Sequence, residues 1–275
     1  MKILDGKALS EELEKTLVSK IKKLKISLKL AVILVGDNPS SLLYVKMKQK
    51  TCQRLGVGCD VYHYKEASQS EIIHKIKELN QQDDVTGILI QLPLPGGVDT
   101  RTILDTVAIK KDVDGLHSYH LMRILMDQEK IVPCTPKGII ALLDKYKITL
   151  EGKGVCVIGF SDVVGKPLAT MCLNRGATVT VCHVKTNNLD RHTSNSDIVM
   201  TATGVPRLIK KDMIKDSAIV VDIGISKHNG EVVGDVDFDS VKDKCSYITP
   251  VPGGVGPMTI HSLIQNLLLL HEYYH

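Results

Sequence analysis

No apolar run in this chain of 275 residues approaches the roughly 20 that cross a bilayer, and the stretch near its end, Leu267 to Leu270, is far too short. No membrane partner is expected. The opening MKILDGKALSEEL turns polar after Leu4 and lacks an apolar h-region, and its Lys and Glu content argues against a transit peptide. No CxxC pair occurs among Cys52, Cys59, Cys134, Cys156, Cys172, Cys182 and Cys245. Odd in number and scattered, they read as reduced thiols and small core residues in a cytoplasmic protein. Only Cys134, in the turn Pro133-Cys-Thr-Pro136, is expected near a site. The net charge is only +4 and Lys and Arg form no unbroken block, so no nucleic-acid partner is expected. The run from Lys20 to Lys29 alternates with Ile and Leu and reads as the solvated face of a helix. Ten histidines show no ligand spacing, so no metal is expected. Repeats and low-complexity tracts are absent as well.

What is present is a two-lobed α/β pattern. Hydrophobic residues are 43% and charged residues 24%, the balance of a folded globular chain, and the length suits two lobes with a cleft. Leu9, Leu13, Leu17 and Ile21 recur at helical spacing ahead of the all-apolar Leu30 to Val35. Ser41 to Arg54 is helical in character and Val57 to Tyr64 is strand-like. Ser68 and Glu71 form a capping box before Ile72, Ile76 and Leu79. Gly87 to Gln91 is another buried strand, stopped by Leu92-Pro-Leu-Pro95. The alternation predicts a parallel sheet covered on both faces. After a helix opening at Thr135 the pattern restarts: Val155 to Gly159, a helix to Arg175, Thr178 to Cys182, Asp197 to Met200 and Ala218 to Asp222. A lobe boundary is placed near 135. Thr259 to Tyr273, an apolar helix without a strand of its own, is expected to cross back onto the first lobe.

Gly159-Phe160-Ser161-Asp-Val-Val164-Gly165 stands between the restarting strand and its helix. A tight-turn glycine and free N–H groups at a helix N-terminus are what a pyrophosphate requires. The spacing is GxSxxxG rather than GxGxxG, so a plain βα turn remains an equal alternative on this segment alone. The next strand ends in Cys182-His183-Val184-Lys185, with no carboxylate for a ribose diol; a lysine there suits a 2′-phosphate better. Thr203-Gly204 and Ile223-Gly224 follow later strands, where bare backbone admits a ligand.

In the first lobe, Tyr44 and Lys48 share one helix face at i and i+4, although an exposed Tyr and Lys pair would look the same. Gln91 ends a buried strand, and Asp112-Val-Asp114-Gly is a charged turn. Taken in order, Tyr44-x-x-x-Lys48, Gln91-Leu92-Pro-Leu-Pro, Lys111-Asp-Val-Asp-Gly, Pro133-Cys-Thr-Pro, Gly159-x-Ser-x-x-x-Gly-x-Pro and Pro250-Val-Pro-Gly-Gly-Val-Gly-Pro-Met-Thr259 resemble the bifunctional methylenetetrahydrofolate dehydrogenase/cyclohydrolase (FolD) family over the whole chain.

That resemblance implies a folate-binding catalytic domain over 1–135 and 250–275 and a Rossmann-like NAD(P)-binding domain over 136–249. It implies a homodimer acting on tetrahydrofolate derivatives. Tyr44 would stack on the substrate, Lys48 would be the catalytic amine, Gln91 would tune it and Asp114 would hold the pterin, with Leu92, Pro252, Gly253 and Gly254 also lining the substrate. The coenzyme would meet Thr135, Gly159, Phe160, Ser161, Val164, Gly165, His183, Lys185, Thr203, Gly204, Ile223, Gly224 and Thr259. Family members specific for NADP carry Arg and Ser where this chain has Phe160 and Val184. NADP is still the expected coenzyme through Lys185 or Lys166, with NAD possible. An amino-acid or shikimate dehydrogenase-like enzyme, or a folate or nucleotide sensor without activity, are the competing readings; the first needs no Gln91-Leu-Pro-Leu-Pro, and the second should have lost Lys48.

Overall fold

The computed structural model describes residues 1–24, 27–228 and 230–274. In chain order the strands and helices are β1 (Lys2–Ile3), α1 (Gly6–Leu24), β2 (Lys29–Val35), α2 (Pro39–Leu55), β3 (Gly58–Tyr64), α3 (Gln69–Asn80), β4 (Gly87–Ile90), α4 (Thr100–Thr106), α5 (Ser118–Leu125), α6 (Cys134–Lys145), β5 (Gly154–Ile158), α7 (Gly165–Asn174), β6 (Thr178–Cys182), α8 (Leu189–Thr193), β7 (Ile198–Thr201), β8 (Ile219–Asp222), β9 (Ser226–His228), β10 (Glu231–Val233), α9 (Phe238–Val241), β11 (Tyr247–Ile248) and α10 (Val255–Tyr274). They form two compact units.

One unit comprises Leu13–Arg123, Gln128–Cys134 and Ile260–His275. Its sheet has the order β3-β2-β4, parallel throughout. β2 is buried over Leu30 to Val35 because it is central and covered on both faces, which is why its sequence is unbroken Leu, Ala, Val and Ile. Asn38 caps α2 by accepting from Ser40 N and Ser41 N, and Gly56 closes that helix at φ 72°. The capping box at Ser68 and Glu71 is formed. The last helix returns as expected: Leu263, Ile264, Leu267 and Leu268 pack in one cluster with Leu30, Val32 and Leu89. A Cβ on Gly87 would stand 2.6 Å from Leu267 Cδ1, so the bare residue lets α10 lie against β4.

The second unit comprises Met1–Glu12, Ile124–Asp127 and Thr135–Thr259. Its six-stranded parallel sheet has the order β1-β11-β8-β7-β5-β6. Residues 1–12, 124–127 and 250–259 differ here from the expected domain bounds. β1 pairs with β11, Lys2 N donating to Ser246 O (2.7 Å) and Leu4 N to Ile248 O (2.8 Å), and Lys7 N donates to Gly253 O (2.9 Å). The basic run also divides. Lys20, Lys22 and Lys23 are exposed on α1, and Lys25 lies outside the described residues. Lys29 belongs to β2 and pairs with Asp60 (2.8 Å) and Asp84 (2.9 Å).

Candidate active site

α2 fixes Lys48 one turn beyond Tyr44, with Lys48 on the buried face. β2 and β4 fix Gln91, whose N–H donates to Ile33 O at 2.9 Å. The two side chains meet: Lys48 Nζ donates to Gln91 Oε1 at 2.9 Å, and Gln91 Nε2 donates to Leu92 O at 2.7 Å, which settles which end of the amide faces the amine. Lys48 is only 9% exposed, and burial holds its ammonium below the ordinary lysine range against the opposing pull of Asp114 and the thiols Cys134, Cys52 and Cys59. Tyr44 is half-buried, which pushes its phenol up. The turn carrying Asp114 is held by Asp112, whose carboxylate accepts from Gly115 N (3.1 Å) and His117 N (2.8 Å). Complete burial pushes Asp112 up to about 7. Cys134 is near the site as expected, its thiol donating to Val113 O. Cys52 and Cys59, taken from sequence as ordinary core residues, add to the charge environment that raises the proton affinity of the same amine.

In the other unit the loop after β5 makes a tight turn into α7. A Cβ on Gly165 would stand 1.9 Å from Gly159 O, and Gly159 sits at φ 110°. Ser161 Oγ accepts from Val164 N (3.2 Å) and Gly165 N (3.4 Å), tightening the turn at the start of α7. Phe160 is half-exposed. Lys166 Nζ lies 4.8 Å from its ring centroid and 2.5 Å from Asp162 Oδ1. After β6, Val184 is fully exposed and Lys185 is exposed, with its N–H donating to His183 Nδ1 at 3.1 Å. Ile223 N donates to Thr201 O, and Thr203 N and Oγ1 both donate to Asp235 Oδ2 (2.6 and 2.9 Å). Thr135 and Thr259 bring their hydroxyls to 3.1 Å. Pro252, Gly253 and Gly254 belong to this unit and not to that of Lys48; Val251–Pro252 and, in the other unit, Leu92–Pro93 are cis. Asp235, fully buried, was not singled out in the sequence. Gly234-Asp-Val-Asp237 has the composition of any polar turn, and only the fold buries it.

A glycine-led loop on a parallel sheet and, elsewhere, a buried amine oriented by an amide define a two-unit α/β enzyme of the nicotinamide-coenzyme class. Family models for the tetrahydrofolate dehydrogenase/cyclohydrolase catalytic domain and NAD(P)-binding domain match residues 4–114 and 133–275. The bifunctional protein FolD of Sulfurovum sp. is 48% identical, over 98% of this chain and 98% of its own. The crystal structure of the Campylobacter jejuni FolD methylenetetrahydrofolate dehydrogenase/cyclohydrolase superposes with a TM-score of 0.95 at 47% identity, covering 99% of both chains. The Trypanosoma brucei enzyme, solved in complex with NADP and an inhibitor, gives 0.94 at 32% identity, over 98% of this chain and 97% of its own. The chain belongs to the tetrahydrofolate dehydrogenase/cyclohydrolase family, the bifunctional FolD enzymes of one-carbon folate metabolism. This answers the amino-acid or shikimate dehydrogenase-like alternative.

Proposed function

We propose that the protein is an NADP-linked enzyme that oxidises 5,10-methylenetetrahydrofolate to the 5,10-methenyl form and hydrolyses that to 10-formyltetrahydrofolate, working as a cytoplasmic homodimer. The observation that carries the reading is the buried Lys48–Gln91 hydrogen bond. The bound coenzyme supplies the hydride acceptor, and loss of hydride leaves a cation shared by two ring nitrogens, so oxidation calls for positioning more than for a base. Hydrolysis does need proton transfers. Water adds to the methenyl carbon and loses a proton; as the carbon–N5 bond then breaks, N5 gains one and the new hydroxyl gives up its own to become the formyl carbonyl, so one proton is released overall. An amine held below its ordinary pKa can take the first proton and return the second, and Gln91 keeps Lys48 aimed. Tyr44 offers a ring for stacking, and Asp114 a carboxylate for the pterin. Leu92, Pro252, Gly253 and Gly254 are proposed substrate contacts, the last three from the coenzyme-binding unit, and Thr135 and Thr259 are proposed coenzyme contacts. None of the seven cysteines is in a disulfide, as suits a reducing compartment. No helix among the described residues is long and apolar enough to cross a membrane.

The coenzyme assignment rests on Lys185. Phe160 and Val184 have no side-chain donor, and Lys166 is engaged by Asp162 and the Phe160 ring. Losing a charged contact weakens NADP by about 1.5 to 3 kcal/mol, or one to two decades. A lysine point charge recovers much of this, and no carboxylate at the end of β6 favours the NAD ribose. The test compares kcat/KM for NADP and NAD, following the methenyl product, in wild type, Lys185→Ala and Lys48→Ala. NADP should be preferred in wild type and lose about tenfold in Lys185→Ala. Lys48→Ala should cut hydrolysis by about 100-fold or more while coenzyme still binds. Wild-type preference for NAD, or undiminished hydrolysis without Lys48, overturns the corresponding assignment.

A further inference from the structure

Asp235 is fully buried in the coenzyme-binding unit, in a place where a carboxylate must be met by donors. Three of them converge on one oxygen. Oδ2 accepts from Thr201 Oγ1 (3.0 Å), Thr203 N (2.6 Å) and Thr203 Oγ1 (2.9 Å). Asp235 is itself held at both ends of its peptide unit: its N–H donates to Asp222 Oδ1 (2.9 Å) at the end of β8, and its carbonyl accepts from Ile209 N (3.0 Å). Oδ1 has no hydrogen-bond partner among the described residues and occupies the space where a Cβ on Gly224 would stand, 1.9 Å away. One residue therefore joins the carboxyl ends of β7, through its carboxylate, and β8, through its N–H, where an open parallel sheet receives its ligand.

A second consequence concerns one proton. Thr203 Oγ1 donates to Asp235 and accepts from Val205 N (3.1 Å), so its single hydrogen is committed to a charged acceptor. Toward a ligand that hydroxyl has a lone pair only, which fits a ribose hydroxyl or a carboxamide N–H and not a phosphate or carbonyl oxygen. We propose that Asp235 is a positioning residue for the dehydrogenase: it fixes the Thr201 to Val205 loop and turns the Thr203 hydroxyl into an acceptor for a donor group of the bound coenzyme. This rests on the coenzyme reading of Thr203 and Gly204 above.

The experiment measures coenzyme KM and kcat for oxidation, hydrolysis of the methenyl substrate without coenzyme, and melting temperature, in wild type, Asp235→Ala, Asp235→Asn and Thr201→Val. Asp235→Ala should raise the coenzyme KM by about tenfold or more, the loss of two or three hydrogen bonds, with hydrolysis unchanged. Asp235→Asn keeps an acceptor toward Thr203 and should stay within about threefold of wild type. Thr201→Val, which leaves the carboxylate in place, should give a smaller rise of about two- to fivefold and carries the test if Asp235→Ala does not fold. An unchanged coenzyme KM in Asp235→Ala, or in Thr201→Val where that is the folded variant, overturns the proposal. So does a fall in hydrolysis that parallels the fall in oxidation, which marks a merely structural role. A wild type that oxidises nothing with either coenzyme refutes the proposed function instead, so the two failures are distinguishable.

Discussion

Lys48 meets two opposing demands: burial lowers the affinity of its amine for a proton, while the Gln91 carbonyl oxygen and the Asp114 charge raise it. Burial prevails. The amide also orients the amine, because the Leu92 carbonyl takes the Gln91 Nε2 proton and leaves only Oε1 to face Lys48. Gln91→Leu removes an acceptor that favours the charged ammonium and leaves the burial in place. The Lys48 pKa should then fall further, so the acid limb of the hydrolysis pH profile should move to lower pH while the plateau rate drops by about tenfold or more. A limb that stays in place, measured from pH 5 to 9 with methenyl substrate, would show that Gln91 does not act on the amine.

At the scale of elements, α10 shows how a distant piece of chain supports the site. Asn266 is fully buried, and its Nδ2 donates to Val113 O (3.0 Å) and Val132 O (2.9 Å), tying the helix to the turn that carries Asp114. Asn266→Ala removes the Nδ2 donor from Val132 O and leaves Val113 O with the Cys134 thiol, and urea unfolding should show a loss of about 1 to 3 kcal/mol. The folate KM should rise with it as the Asp114 turn loosens; a variant as stable as wild type refutes the anchoring role. Much of this scale was legible in the sequence. The all-apolar runs announced β2, β4, β5 and β7, and Ser68 with Glu71 announced α3. β1 and the β9–β10 hairpin were not legible, because two- and three-residue strands carry no periodicity and are defined only by their partners. The same holds within the site. Lys48 and Gln91 were visible as residues at a helix face and a strand end, but Asp235 owes its place to burial, which is a property of the fold.

For the whole molecule, two buried carboxyls govern one part of the stability profile. Burial pushes Asp112 and Asp222 each up to about 7 from an ordinary value of 3.8. Their folded pKa is raised, so the native state holds more protons than the unfolded chain between those values. Their contribution is full below about 4 and is lost as pH rises through 7, by about 4 kcal/mol per group at most. Asp112→Asn should therefore flatten the decline in melting temperature from pH 5 to 8; an identical slope in the variant would mean that Asp112 is ionised throughout. Chain order adds a constraint of another kind. The core around β2 contains Leu263 to Leu270, the sheet of the other unit begins with Lys2 and Ile3, and the segments of the two units alternate along the chain. A ribosome that has released only residues 4–114 has exposed Lys48 and Gln91 without the helix that covers their core. The catalytic half of this enzyme must therefore wait, during synthesis, for Leu263 to Leu270, well over a hundred residues downstream.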